Sequence, residues 1–245
     1  MGVYIMSIVE LVIKGAKEFH NQLKEDDKGR YRSWEHCYKC FYDARERRKN
    51  NENIDYDYLS LQLAFYLASW GMYRGSSFLL QKDYKIHEEI VKMILEPQYD
   101  CLRAVECSDL QSNTDTLNII MELKKRMQNY YSEIRNSVKN IKAKNTVSDT
   151  LITEVLMGTL GCVPAYDRYF VDGIKAYKVT TGSFNEESIR KLVDFYEKEN
   201  NNKRLEKYRK SLKVYGYEYP QMKLLDMGFW QIGYDRDQEN RKEKK

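Results

Sequence analysis

The chain has 245 residues, 42% of them hydrophobic and 32% charged, with 41 basic against 37 acidic side chains. Those proportions exclude global disorder, and a formal net charge of +4 is too balanced to argue for a nucleic-acid binder unless the charges segregate in space. Twelve glycines and three prolines leave too little turn chemistry for a many-stranded β fold, so composition favours helices.

In chain order, residues 3–25 place Ile5, Ile8, Val9, Val12, Ala16, Phe19 and Leu23 at helical spacing, stopped by Asp26-Asp27-Lys28-Gly29. This apolar start is broken by Glu10 and lacks a basic leader, so it is not read as a signal peptide. Ser33 is placed to cap a second helix carrying Trp34, Cys37, Tyr38 and Phe41 and ending in Arg45-Glu46-Arg47-Arg48-Lys49, a basic last turn that suits the helix dipole. Residues 55–70 predict a helix that is apolar on nearly every face from Leu59 to Trp70, expected at the centre of the core. Ile86, Ile90, Val91 and Ile94 give another helical face, closed by Pro97, and 98–113 shows no clear period. The longest predicted helix is 117–142, with Leu117, Ile120, Met127, Tyr131, Ile134, Val138 and Ile141 on one seam, read as packed on the core rather than as a free coiled-coil arm.

The stretch 149–173 is the most site-like. It starts as an apolar helix, breaks at Gly158 and Gly161, and is expected to restart at Pro164 as the first position of a short helix carrying Tyr166, Asp167, Arg168 and Tyr169. Ser183 with Glu186 matches a capping box for the next helix. Residues 203–215 set Leu205, Tyr208, Leu212 and Tyr215 on one side of a basic segment, and Pro220 opens a last helix through Leu224, Leu225 and Trp230. The expected architecture is therefore all-α, a compact single-domain multi-helix bundle over residues 1–234, followed by a disordered polar tail over 235–245.

Familiar catalytic motifs are missing. Cys37-x-x-Cys40, preceded by His36, lacks the second pair that a structural zinc needs, and the two thiols share a helical face as small hydrophobes. His20, His36 and His87 sit in separate amphipathic segments, so no metal and no cofactor is expected. Two Gly-bracketed turns remain. In 71–77, Tyr73, Arg74, Ser76 and Ser77 join one cation, hydroxyls and freed backbone amides, a set suited to an anion. The alternative is that Arg74 bonds carbonyls at the end of the 55–70 helix. In the second turn, Gly161-Cys162-Val163-Pro164-Ala165 resembles the second half of a helix-hairpin-helix, whose turn amides approach a DNA phosphate, although Gly158 and Gly161 are one residue too far apart.

The segments Tyr66-Leu67-Ala68-Ser69-Trp70-Gly71-Met72-Tyr73-Arg74-Gly75-Ser76-Ser77 and Gly158 to Phe170 resemble an uncharacterised family of bacterial hypothetical helical proteins, as does Tyr219 to Asp226. The resemblance runs from about Trp34 to Trp230 and implies a bacterial, single-unit protein without implying an activity. No run approaches the ~18 apolar residues of a membrane span, and five cysteines, an odd number, fit free thiols in a reducing compartment. The expected location is the cytoplasm, with no membrane partner.

The functional expectation is a non-enzymatic helical binding protein whose ligand, a phosphate-bearing small molecule or a protein partner, meets the two turns through Tyr73, Arg74, Ser76, Ser77, Tyr166, Asp167 and Arg168. One alternative is a nucleic-acid binder using the hairpin-like turn and a basic helix with Lys203, Arg204, Lys207, Lys210 and Lys213. The other is an enzyme with Asp167 or Asp172 as general base beside Arg168. An ion pair with that arginine would lower the carboxylate pKa rather than poise it for proton transfer.

Overall fold

The computed structural model describes residues 6–139 and 147–243. Among them are eleven α-helices: α1 (Ile8–Glu25), α2 (Ser33–Lys49), α3 (Tyr56–Ser69), α4 (Glu88–Ile94), α5 (Cys107–Ser112), α6 (Thr114–Asn136), α7 (Asp149–Thr159), α8 (Arg168–Ala176), α9 (Glu186–Glu197), α10 (Glu199–Arg209) and α11 (Gln221–Lys242). Short 3-10 turns fill the connections, including Pro97–Leu102 and Tyr84–His87. The described strands are the two-residue β1 (Lys213–Val214) and β2 (Tyr217–Glu218), paired antiparallel with Lys213 opposite Glu218. Their turn residues Tyr215 and Gly216 both take positive φ, 48° and 88°, as a two-residue hairpin turn of matching twist requires. The fold is all-α and compact, as composition led us to expect.

Local chemistry sets the helix starts. α1 opens on a capping box in which Ser7 N donates to Glu10 Oε2 at 2.6 Å, and it buries Val9, Val12, Ala16, Phe19 and Leu23 at steps of three and four. α6 turns Leu117, Ile120, Met127 and Tyr131 inward, so this long helix lies on the core; it ends at Asn136, and the predicted stretch 140–142 falls outside the described residues.

α11 occupies the middle of the molecule. Every residue from Gln221 to Gly233 is buried, and the helix lies between α1 and α8. Glycines let the backbones touch. A Cβ on Gly173 would stand 2.0 Å from the Phe229 carbonyl oxygen, and one on Gly233 would stand 1.9 Å from that of Tyr169. On the other side Gly15 and Gly228 meet, with a Cβ on Gly15 reaching 2.7 Å from the Gly228 carbonyl oxygen. The second central element is α7, buried throughout from Leu151 to Thr159.

Four expectations are corrected. The 55–70 helix, expected at the centre, is α3, and it buries only Leu59, Ser60, Leu63, Ala64, Tyr66 and Leu67 while its other side stays open. Its all-round apolarity does not disclose how many neighbours it has. Pro164 does not start a helix: the chain stays irregular to Asp167, whose Oδ1 accepts from Phe170 N at 2.8 Å and caps α8. Asn185 rather than Ser183 caps α9, accepting from Ser188 N at 2.8 Å. Finally, 235–242, expected as a disordered tail, continues α11 as far as Lys242, where Asp237 pairs with Arg168 and with Arg241, each at 2.9 Å.

The crossings at Gly173 and Gly233 make a direct prediction. Because the obstructing atoms are backbone, Gly173→Ala and Gly233→Ala should each destabilise by about 2 kcal/mol or more in chemical denaturation. Gly75→Ala, which meets nothing within 4 Å, should cost only the left-handed backbone penalty of about 1 kcal/mol.

Candidate functional site

The second Gly-bracketed turn lies inside the protein: every residue from Leu151 to Tyr166 is buried. Four of its amides bond inside the protein. Leu160 N and Gly161 N both donate to Leu156 O at 3.0 Å, Ala165 N donates to Asp226 Oδ1 at 3.0 Å, and Tyr166 N donates to Thr153 Oγ1 at 2.9 Å. The anion on the turn is thus a carboxylate of the chain's own α11. Tyr166 shares a 2.9 Å hydrogen bond with Ser188 in the interior.

Around this turn lies a polar centre enclosed by aromatic rings. Lys223 Nζ donates to Asp226 Oδ2 at 2.8 Å, with both side chains buried. The same ammonium stands 4.9 Å from the Trp34 ring centroid, 5.4 Å from Phe19 and 5.5 Å from Trp70, in cation–π range. Tyr66 OH donates to Glu154 Oε2 at 2.6 Å, and Trp230 Nε1 donates to Asp167 Oδ2 at 2.9 Å. Burial first, and then the negative charge of Asp167, pushes Glu154 up to about 8. Burial also pushes Asp167 up to about 6 against the pull of the Phe170 amide. Among the described residues, Glu154 Oε1 and Trp70 Nε1 have no hydrogen-bond partner.

Sequence reading found Asp167 and missed the rest of this centre. The available signal was Glu154 and Lys223 standing inside apolar helical runs, where an unpaired charge is costly. Arg168 turns away from Asp167 to Asp237, and burial raises the carboxyl of Asp167, opposite to what a surface ion pair with Arg168 would give.

The first turn has different neighbours. Gly71 and Gly75 take φ of 77° and 57°, and Tyr73 OH lies 2.7 Å from His87 Nε2, whose Nδ1 lies 2.7 Å from Tyr131 OH. Burial drives His87 down to about 3, so the ring is neutral. Ser77 accepts from Leu79 N at 3.4 Å. Arg74 and Ser76 are exposed, and among the described residues neither side chain has a hydrogen bond or ion pair, while the Arg74 carbonyl accepts from Ser77 N at 3.1 Å; the Ser69 carbonyl at the end of α3 receives Arg30 instead, at 3.4 Å. Among the described residues no hydrogen bond, ion pair or ring contact joins Tyr73, Arg74, Ser76 or Ser77 to Tyr166, Asp167 or Arg168.

The basic helix is largely neutralised. Lys203 pairs with Glu199 and Arg204 with Glu10, each at 2.8 Å, and Lys213 pairs with Glu218 at 3.1 Å. Lys207 and Lys210 stay exposed, and of these five only they have no ion pair among the described residues. In the Cys-x-x-Cys segment, Cys37 is buried in the core and Cys40 lies 3.8 Å from Tyr58 OH on α3. Burial raises the Cys40 thiol, which does not suit a nucleophile.

What remains open is the outer face of α3. Tyr58, Leu61 and Phe65 are 49%, 47% and 58% exposed, at steps of three and four along one side of the helix. Ala68 continues that side, exposed and three residues on. Tyr58 also walls a groove of about 480 Å³ between α2 and α3, lined by His36, Lys39, Cys40, Asp43 and Arg47 and by Tyr215 of the hairpin. Among the described residues no helix is long and apolar enough to cross a membrane, so this is not a lipid-spanning face. Comparison with protein-family models, curated proteins and solved structures gave no match.

The buried centre predicts a pH effect of definite sign. A carboxyl raised from 4.5 to about 8 keeps a proton in the native state that the unfolded chain has released, so its burial destabilises progressively as pH rises across that window. Glu154→Gln keeps an oxygen for Tyr66 and removes the titration. Its melting temperature should gain on wild type between pH 5 and pH 8, and a constant difference across that range would contradict the assignment.

Proposed function

We propose that the protein is a non-enzymatic helical binding protein whose ligand is a protein partner, received on the open face of α3 and the groove beside it. The observation that carries this is the exposed series Tyr58, Leu61 and Phe65 on a helix whose other faces are built into the core. Covering three half-exposed side chains of this size is worth about 1 kcal/mol each. Exposed apolar surface gathered on one helix face is a signature of an interaction site rather than of random surface composition.

A protein partner is favoured over a phosphate-bearing ligand because Tyr166, Asp167 and the amides of Leu160, Gly161, Ala165 and Tyr166 are occupied by interior contacts. It is favoured over nucleic acid because most of the candidate cations on and beside α10 are paired. The observation that favours an enzymatic reading is the orphaned Glu154 Oε1 beside the raised carboxyl of Asp167, the environment in which carboxyls serve as acid and base. Metabolite-turnover screening of wild type and Asp167→Asn addresses it, and turnover lost in the variant would support it.

The binding reading is tested by affinity retention from the host extract. Retained protein should be lost with Leu61→Glu and with Phe65→Glu, and kept with Lys207→Glu and Lys210→Glu. Retention unaffected by the α3 substitutions would overturn it.

A further inference from the structure

The open face of α3 has a property that selects its occupant. Its exposed residues Tyr58, Leu61, Phe65 and Ala68 are spaced three, four and three apart, a series that reads the same in either direction. Reversal about the position of Leu63 sets Leu61 against Phe65 and Tyr58 against Ala68, so each large side chain on one helix finds an apolar counterpart of its own series on a reversed copy, and the Tyr58 ring finds the small Ala68.

The charges reverse in the same sense. The N-terminal end of α3 carries Asp55, which caps the helix, and Asp57, 59% exposed, which accepts from Tyr84 OH at 3.1 Å and lies 3.8 Å from the exposed Lys85. The C-terminal end carries Arg30, held on the Ser69 carbonyl, and the exposed Arg74, whose side chain lies over Gly71. The same reversal that pairs Leu61 with Phe65 sets Asp57 opposite Ser69 and therefore beside Arg30. A helix of this length spans about 21 Å, so acid meets base at both ends of one contact.

Resting on the reading of α3 as a docking face, we propose that its occupant is a second copy of this chain, packed antiparallel about a two-fold axis near Leu63. A two-fold contact must be self-complementary, residue i meeting j while j meets i, and both the apolar series and the terminal charges of α3 meet that condition. Buried positions between them, Leu59, Leu63 and Tyr66, hold the helix to its own core and leave the seam to the exposed series. A single helix pair is smaller than a standard stable interface, so the association is reversible and depends on concentration.

Sedimentation velocity of the full chain from micromolar to submillimolar concentration tests the proposal. A monomer–dimer equilibrium is expected, abolished by Phe65→Glu and by Leu61→Glu, both of which should keep the wild-type helical spectrum because the positions are exposed. Asp57→Arg and Arg30→Glu should each weaken the dimer about fivefold, the combined effect of the two symmetry-related exposed ion pairs that each substitution breaks. Together they should restore it. A chain that stays monomeric throughout overturns the self-pairing; if Phe65→Glu still abolishes retention from extract in that case, the docking reading survives without it. A dimer unaffected by Phe65→Glu, or a charge exchange that fails to restore association, also overturns the proposal.

Discussion

The fold depends on backbone contact between α11 and its two neighbours. A helix buried along three turns has to be approached from several sides, and ordinary side chains hold helix axes 8–10 Å apart. Gly15 and Gly228 on one side, with Gly173 and Gly233 on the other, remove that spacer, so α1 and α8 close directly on the backbone of α11. The arrangement fixes α8, and with it Asp167 and the turn that precedes it. The cost is loss of tolerance, since no side chain can relax out of the way of a carbonyl oxygen.

Within that frame the interior carries more charge than an apolar core needs. Lys223 and Asp226 form a buried ion pair, and of two further carboxyls close by, Asp167 adds its charge to burial in raising Glu154. Replacing a buried pair with apolar groups is often neutral or stabilising, whereas removing one partner is strongly destabilising. The pair therefore acts chiefly as a positioning device: Asp226 receives the Ala165 amide while Lys223 lies among the rings of Trp34, Phe19 and Trp70. This ties the 160–167 connection to α11 and holds α1, α2 and α3 around one ammonium. Protonation of Glu154 at neutral pH spares the centre a third negative charge.

Helix class, order and most helix positions were legible because steps of three and four in apolar residues reflect burial on one side of a helix. The start of α8 was not: Pro164 suits a first helical position, yet Asp167 is the residue whose side chain can accept an amide three residues on. Glu154 and Lys223 are visible in the sequence as polar residues in apolar runs, but nothing in their separation along the chain shows that they meet across α7 and α11. The basic segment 203–213 looked like a surface for phosphates because its acidic partners, Glu10 on α1 and Glu218 on β2, come from distant or folded-back segments. The open face of α3 was hidden for a different reason. A helix apolar all round looks the same in sequence whether a second layer of the same chain or another molecule covers it.

Among the described residues, exposed large apolar side chains gather in a run on α3 while Met6, Leu80 and Tyr215 stand apart, and the palindromic series of α3 is the specific content of the account. Mixed cross-linking measures that register directly. Chains carrying Leu61→Cys are combined with chains carrying Phe65→Cys, in a background with Cys40 and Cys101 replaced by serine, and treated with a short bis-maleimide. With the two chains equimolar, random pairing gives the mixed product twice the yield of each like-with-like product, and the antiparallel two-fold predicts that the mixed 61–65 product exceeds that share. A mixed product at or below the random 1:2:1 share, or no product above that of a surface control, would contradict it.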